Sequence, residues 1–286
     1  MNGCTLREVY DKGKNTLSRA GLKSPAFDAL CLFEMTFGIG DRAGLTVHGG
    51  EIANPEKTEL FNELIMRRTR EPLQYILGRW EFDGMNLLVG DGVLIPREDT
   101  MTLVETACTE LSGLSSPRVL DLCAGSGAVG LAIARRIPDA LVVCAEKSHE
   151  AFRYLERNIA EFGQGRVICR ECDVLLPPPT DNYGKFDCIV SNPPYIPAGD
   201  IDGLEWEVQC EPRIALDGGS DGLLFYRAIC GLWKPALRAG GLVAFEIGYD
   251  IYDGVIEIMK QNAIDRIGAV KDFNGISRCV FGTAVS

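Results

Sequence analysis

The fold is decided by residues 118–146, RVLDLCAGSGAVGLAIARRIPDALVVCAE, in which two apolar runs flank a glycine turn and a helical pattern. RVLDLC (118–123) and ALVVCAE (140–146) are typical of strands, and AVGLAIARRI (128–137) has apolar residues at helical spacing. A strand, a helix and a second strand in this order predict a parallel βαβ unit. Because both strands are apolar throughout, we expect helices on both faces of the sheet.

The same alternation continues along the chain. Further strands are predicted at 166–170, 186–192 and 241–247, and further helices at 148–162 and 222–237. The tail predicts two more strands joined through residues 272–275, and so an antiparallel pair. The predicted fold class is α/β, a doubly wound, Rossmann-like, seven-stranded sheet with an antiparallel C-terminal strand pair.

A small helical domain is predicted before this sheet, over residues 1–72. Ser24-Pro25 and Asn54-Pro55 each combine an N-cap residue with proline in the first helical turn. Asp83-Gly84, between apolar runs, predicts a β-hairpin within a linker over 73–97. The sheet domain then occupies 98–286.

The bulk composition excludes several classes of protein. The 286 residues contain no apolar run long enough to span a membrane, and the N-terminus has no apolar signal core, which predicts a cytoplasmic protein. In the cytoplasm, which is reducing, the 11 cysteines are not expected to form a disulfide framework. The chain has only two histidines. We therefore expect neither a metal site at Cys169-Arg-Glu-Cys172 nor histidine-based catalysis. The net charge of −11 disfavours nucleic acid, and the run MRRTR (66–70) is the only obvious basic cluster.

The glycine turn after the first strand predicts a cofactor site. Glycines let a ligand approach the backbone at a helix N-terminus, and Glu146, 21 residues after Gly125, is placed to accept hydrogen bonds from ribose hydroxyls. An acidic Asp121 would repel a pyrophosphate but suits a cationic amino-acid group, which favours S-adenosylmethionine over a nicotinamide dinucleotide. The predicted cofactor residues are Asp121, Cys123, Ala124, Gly125, Ser126, Gly127, Glu146, Asp173, Val174 and Asn192.

The fourth predicted strand ends in Asn192-Pro193-Pro194-Tyr195, which we predict to be the catalytic segment. The Asn192 side chain supplies a carbonyl acceptor, and the prolines remove N–H groups, so that the Pro193 carbonyl is a second acceptor. Tyr195 offers a ring face to a planar group. Together these groups would hold a planar –NH₂ by both hydrogens and direct its nitrogen at an electrophile.

Asn-Pro-Pro-Tyr resembles the signature of methyltransferases that act on planar exocyclic or amide nitrogens. Residues 71–100, 211–229 and 245–250 are similar to segments of the HemK-type release-factor glutamine methyltransferases, and the resemblance covers nearly the whole chain. It implies methylation of the glutamine in the Gly-Gly-Gln loop of peptide-chain release factors, with the helical domain docking that partner. The chain departs from the family pattern at Cys123, where glycine is usual, at Glu98, where proline is usual, and at Met101, where an acid is common.

Three other functions are alternatives to this one. A nucleic-acid amino-methyltransferase uses the same tetrapeptide but predicts a basic surface, and we expect no stable nucleic-acid binding. A non-catalytic cofactor-binding adaptor predicts that Asn192 is dispensable. A Rossmann dehydrogenase predicts nicotinamide binding.

Overall fold

The structure, a computed structural model, describes residues 3–178, 184–272 and 275–285. The chain divides into two compact units, Met1–Gly78 and Arg79–Ser286. The short segment after residue 72 therefore belongs to the first unit, and the hairpin belongs to the second. The functional bounds at 1–72, 73–97 and 98–286 stay a prediction.

The first unit is helical, as the sequence predicts. Thr5 and Glu8 form a capping box at the start of its first helix, and Asn54 accepts from the Lys57 N–H (3.1 Å) at the start of the fourth. Ser24 precedes Pro25 as expected, but its side chain caps no N–H. The helices are α1 (Leu6–Arg19), α2 (Pro25–Phe37), α3 (Arg42–His48), α4 (Pro55–Arg68) and α5 (Leu73–Leu77).

An aromatic cluster and one buried ion pair hold these helices together. The Phe33 ring stacks on Phe37 at 4.5 Å between centroids and meets the edge of Phe61 at 5.3 Å. Arg68 Nε donates to Asp28 Oδ2 (2.8 Å), and both side chains are only 5% exposed. The pair links α2 to α4 in the core of this unit.

The second unit begins with the predicted hairpin. Strands β1 (Arg79–Phe82) and β2 (Met85–Leu88) pair antiparallel through Asp83 and Gly84, which have φ of 49° and 73°. Both turn residues have positive φ, which is the reason that the Asp-Gly dipeptide is favoured there.

A seven-stranded mixed sheet follows, in the order β5-β4-β3-β6-β7-β9-β8. Within this sheet, strands β3 to β7 run parallel to one another, and β9 pairs antiparallel with both β7 and β8. The predicted fold class is confirmed, although the turn residues Phe273 and Asn274 lie outside the described residues. The strands are β3 (Arg118–Leu122), β4 (Leu141–Glu146), β5 (Val167–Glu171), β6 (Phe186–Ser191), β7 (Leu237–Glu246), β8 (Ile264–Lys271) and β9 (Ser277–Ala284).

Helices cover both faces of this sheet, because alternate residues of each strand point to opposite sides. On β3, Val119 packs in one apolar cluster with α6, α7 and α8, and Leu120 packs in the other with α10 and α11. The helices are α6 (Met101–Glu110), α7 (Ala128–Arg136), α8 (His149–Phe162), α9 (Trp206–Gln209), α10 (Leu224–Ala228) and α11 (Tyr252–Gln261).

One predicted helix is wrong in detail. Residues 222–237 form α10, then a π-helical turn (Ile229–Trp233) and a 3₁₀ turn (Lys234–Ala236). Pro235 lacks the N–H that a continuing helix needs, and β7 begins directly at Leu237 rather than at 241.

The part of the chain that the structure describes contains no helix that is both long and apolar enough to cross a membrane.

Candidate active site

The site lies where the order of the strands reverses. Strands β3 and β6 are neighbours in the sheet, yet the chain leaves β3 toward β4 and returns to β6 only later. Loops that follow the carboxyl ends of such strands diverge and leave a crevice between them, where ligands bind in open α/β sheets. The glycine turn follows β3, and Asn192 follows β6.

The glycine turn bends sharply over three residues with positive φ. Cys123, Gly125 and Gly127 have φ of 60°, 55° and 86°. A Cβ on Gly125 would find nothing within 4 Å, so the backbone there faces open space, whereas a Cβ on Gly127 would come within 2.7 Å of Leu155 Cδ1. Gly125 therefore leaves room for a ligand, and Gly127 allows α7 to pack closely on α8.

Cys123 has a left-handed backbone conformation. This conformation suits glycine, which is usual at this position in the family that the sequence resembles. The φ of 60° at Cys123 is costly for a side chain with a Cβ, by about 1–2 kcal/mol. Burial raises the pKa of its thiol well above the ordinary value. The thiol therefore stays protonated and is a poor nucleophile.

Glu146 braces the glycine turn from the neighbouring strand. Its Oε2 accepts from the Gly125 N–H (2.8 Å), and its Oε1 accepts from the N–H groups of Lys147 (2.8 Å) and Ser148 (2.6 Å). Burial raises the pKa of this carboxyl, and the three backbone N–H groups oppose that effect. The carboxylate is thus fixed in direction at the end of β4 before any ligand arrives.

Asp121 lies beneath the turn, with 1% of its surface exposed. Its Oδ2 accepts from the Gly130 N–H (2.9 Å), which ties β3 to the first turn of α7. Burial raises the pKa of Asp121 to about 7. A neighbouring cation would favour its ionised form.

The loop after β5 places Asp173 and Val174 beside the same crevice. Asp173 Oδ2 lies 2.8 Å from Lys147 Nζ; although burial raises the pKa of Asp173, this hydrogen bond and that from the Leu175 N–H lower it overall. The Val174 carbonyl accepts from Trp233 Nε1 (2.9 Å), so the side chain of the π-helical turn anchors this loop.

Asn192 is held by a residue from a distant part of the chain. Its Nδ2 lies 3.3 Å from Thr100 Oγ1, and Thr100 is buried at the end of a 3₁₀ turn (Glu98–Thr100). Thr100 also hydrogen-bonds the carboxyl of Glu246, the last residue of β7. Burial raises the pKa of Glu246 to about 7.

Tyr195 rests on three glycines. A Cβ on Gly218 would lie 2.7 Å from Tyr195 Cα, one on Gly222 would lie 2.4 Å from the Tyr195 carbonyl oxygen, and one on Gly248 would lie 3.1 Å from the ring. The Ile196 carbonyl accepts from the Gly218 N–H (2.8 Å). Burial raises the pKa of Tyr195 to about 12, so its hydroxyl stays protonated.

These loops line a cavity whose largely apolar lining, with a few polar groups, is typical of small-molecule sites. Most of the predicted residues line it: Asp121, Cys123, Ala124, Gly125, Ser126, Glu146, Asp173, Val174, Asn192 and Pro194. Gly127, Pro193 and Tyr195 are not among the residues that line it.

Several lining residues were not predicted as site residues. Lys147 directly follows the acidic strand end, and a cation beside Glu146 could have been noticed there. Arg97 and Thr100 also line the cavity, and both lie within the segment 71–100 that resembles the family. Arg97 pairs with the buried Glu211, a contact across more than a hundred residues that no local spacing reveals.

Known proteins resemble the chain along almost its full length. It is 39% identical over 280 residues to the release factor glutamine methyltransferase of Geobacter sulfurreducens, covering 97% of this chain and 96% of that protein. The chain belongs to the release factor glutamine methyltransferase family. The member from Clostridium acetobutylicum is also 39% identical, over 231 residues that cover 80% of this chain and 81% of that one.

Two protein families match parts of the chain. The family described as PrmC N-terminal domain matches residues 8–78, and the one described as Conserved hypothetical protein 95 matches residues 100–204. A methyltransferase structure from Pyrococcus furiosus aligns with a TM-score of 0.51 at 15% identity, covering 71% of this chain and 90% of that one. That likeness is one of fold, and it agrees with the Rossmann-like sheet.

Proposed function

We propose that the chain transfers a methyl group from S-adenosylmethionine to the side-chain amide nitrogen of the glutamine in the Gly-Gly-Gln motif of peptide-chain release factors. The observation that carries this proposal is the meeting of the glycine turn and Asn192 on one cavity. Family membership over 97% of the chain supports the choice of substrate.

The lining of the cavity suits the chemistry of S-adenosylmethionine. Three carboxyl groups line it, those of Asp121, Glu146 and Asp173, against the cations of Lys147 and Arg97. Both cations are already paired, with Asp173 and Glu211 respectively. This balance favours a ligand with cationic and hydroxyl groups over a pyrophosphate.

Four of the predicted cofactor residues have distinct roles in the proposal. Glu146 would accept from a ribose hydroxyl at Oε2, since that oxygen accepts only one backbone N–H and retains a lone pair. Asp121 would face the cationic amino-acid moiety, and Asp173 and Val174 would border the adenine. When bound, the sulfonium supplies an electrophilic methyl carbon.

The protein's own part in the reaction is to hold the acceptor nitrogen. An amide nitrogen is a weak nucleophile, because its lone pair is delocalised into the carbonyl. The side-chain oxygen of Asn192 and the Pro193 carbonyl would each accept a hydrogen bond from the substrate –NH₂ group and so fix the direction of its nitrogen. The Tyr195 ring would lie against the amide plane. Alignment of this kind lowers the barrier of a displacement by several kcal/mol. The new bond joins the amide nitrogen to the methyl carbon as the sulfur–methyl bond breaks, the nitrogen loses one proton to solvent, and the neutral thioether S-adenosylhomocysteine remains as the product.

The distribution of charge supports a protein substrate over a nucleic acid. Residues 1–78 contain ten acidic and ten basic side chains, so the whole formal charge of −11 belongs to residues 79–286. In the basic run 66–70, Arg67 pairs with Glu71 (2.8 Å) and Arg68 with the buried Asp28 (2.8 Å). Nucleic-acid binders instead carry unpaired cations on one face.

The decisive experiment is mass spectrometry of a purified release factor incubated with the protein and S-adenosylmethionine. We expect the mass of one methyl substitution on the peptide that contains Gly-Gly-Gln. No transfer is expected to a release factor whose motif glutamine is replaced by alanine, and only slow residual transfer is expected from the Asn192→Ala enzyme. Transfer to DNA or ribosomal RNA, with none to release factor, would establish the nucleic-acid alternative and refute the proposal.

A further inference from the structure

Thr100 occupies an unusual place between two polar groups of the sheet edge. It is 4% exposed, its Oγ1 lies 3.3 Å from Asn192 Nδ2, and its hydroxyl contacts the carboxyl of Glu246. It arrives from the turn before α6, more than ninety residues before Asn192 in the sequence. The 3₁₀ turn and α6 therefore bring a hydroxyl to the end of β6.

The register of the sheet explains why Glu246 lies at the same point. Strands β6 and β7 run parallel with Ser191 opposite Phe245, so the next residue of each strand, Asn192 and Glu246, emerge side by side. Glu246 is 4% exposed, and within the described part of the chain its Oε2 has no hydrogen-bond partner. Burying a carboxyl costs free energy unless the group is hydrogen-bonded, so an incompletely paired buried carboxyl calls for an explanation.

The direction of these hydrogen bonds follows from the number of protons. A threonine hydroxyl has one proton to donate and lone pairs with which to accept. When Glu246 is ionised, its oxygen accepts the proton of Thr100, and Thr100 can then only accept from Asn192, whose Nδ2 lies 3.3 Å away. The amide of Asn192 must then turn its –NH₂ toward Thr100, which leaves its Oδ1 for another donor.

We propose that Thr100, itself oriented by Glu246, is a positioning residue that fixes the side-chain amide of Asn192 with its oxygen toward the nitrogen to be methylated. This inference rests on the proposed function, in which that oxygen accepts from the substrate amide. The two ends of an asparagine amide have almost the same shape, so only hydrogen-bond partners set which way it points. Without the Thr100 hydroxyl, the Asn192 amide can turn over and present its own –NH₂ group to the –NH₂ group of the substrate.

The test compares Thr100→Val, which keeps the shape and removes the hydroxyl, with Thr100→Ser, which keeps the hydroxyl. We expect Thr100→Val to lower kcat for release-factor methylation by about 10- to 100-fold, the equivalent of one misdirected hydrogen bond. Thr100→Ser should stay within about threefold of wild type. Calorimetry should still show S-adenosylmethionine binding by both variants, and this binding shows that each has folded.

A double-mutant cycle separates positioning from any direct contact that Thr100 makes. If Thr100 acts through Asn192, Thr100→Val should cost nothing further in an Asn192→Ala enzyme, measured in single turnovers with enzyme in excess. Equal kcat for Thr100→Val and Thr100→Ser, or additive losses in the cycle, would overturn the inference. A wild-type enzyme that methylates no release factor would instead refute the proposed function.

Glu246 provides a second pair of variants, in case Thr100→Val does not fold. Glu246→Met removes the acceptor and frees the Thr100 proton to point at Asn192, so we expect the same loss of kcat. Glu246→Gln retains an oxygen that can accept that proton and should recover most of the rate. Equal rates for the two Glu246 variants would contradict the inference independently.

Discussion

Replacing Gly218 by alanine should separate the placement of the catalytic segment from cofactor binding. A Cβ at this position would lie 2.7 Å from Tyr195 Cα and 2.8 Å from Gly222 Cα. Carbon atoms in contact are normally about 3.5–4.0 Å apart, so the two backbones must separate by roughly 1 Å. Both neighbours are backbone atoms, and no flexible side chain can move aside instead.

The expected magnitude follows from that displacement. Gly218 is not among the positive-φ residues, so the effect is steric and not conformational. Overpacking of this kind costs about 1–3 kcal/mol of stability, and a shift of about 1 Å in a reacting group costs about 100-fold in rate. We therefore expect Gly218→Ala to lower kcat about 100-fold while the Kd of S-adenosylmethionine changes little, since no residue of the loop 216–222 lines the cavity.

The assay is release-factor methylation at saturating substrate, with cofactor Kd from calorimetry and the free energy of unfolding from urea titration. Gly199→Ala is the matched control, because its Cβ would meet nothing within 4 Å in the exposed loop after the same segment. The control should behave as wild type. A folded Gly218→Ala enzyme with kcat within about twofold of the control would refute the argument that Gly218 sets the position of Tyr195.

Three further predictions concern the cofactor site and the helical unit. Glu146→Gln replaces one of the two acceptor oxygens of this side chain by a donor, and calorimetry should show a cofactor Kd about tenfold weaker or more; an unchanged Kd would exclude Glu146 from the site. Burial raises the pKa of Asp121 to about 7, and a bound cation lowers it, so cofactor affinity should rise as pH increases toward 7 and level off above pH 7. Cofactor binding should also release protons, which calorimetry in buffers of different ionisation enthalpy measures. Asp121→Asn should abolish both the pH dependence and the proton release. Asp28→Asn leaves the Arg68 charge buried and should destabilise the helical unit by about 3 kcal/mol in urea unfolding; a loss below about 1 kcal/mol would mean that water or another acceptor replaces the carboxylate.

The sequence predicted the parts of the fold that depend on local patterns. The apolar run of β3, the Asp83-Gly84 turn and the antiparallel end of the sheet all follow from residues close together in the chain. Where two local preferences compete, prediction failed. In residues 222–237 the apolar spacing favours one helix, but Pro235 removes an N–H and the chain must enter β7 at Leu237, so the helix breaks into three pieces.

The candidate site could be predicted only in part for a related reason. Gly125 and Glu146 are recognisable because the βαβ unit fixes their separation along the chain. Thr100 and Glu246 reach Asn192 from elements far apart in the sequence, and no spacing rule encodes those contacts. Asparagine orientation and the support of Tyr195 are properties of tertiary packing.

The glycines behind Tyr195 have a consequence for protein engineering. Gly218 and Gly222 lie more than twenty residues from Asn192-Pro193-Pro194-Tyr195, yet neither position has room for a side chain. A designer who grafts the four residues onto another parallel sheet transfers the acceptors without the surface that holds the ring. The portable unit consists of two segments, and a search for new enzymes of this kind should require the distant glycines together with the tetrapeptide.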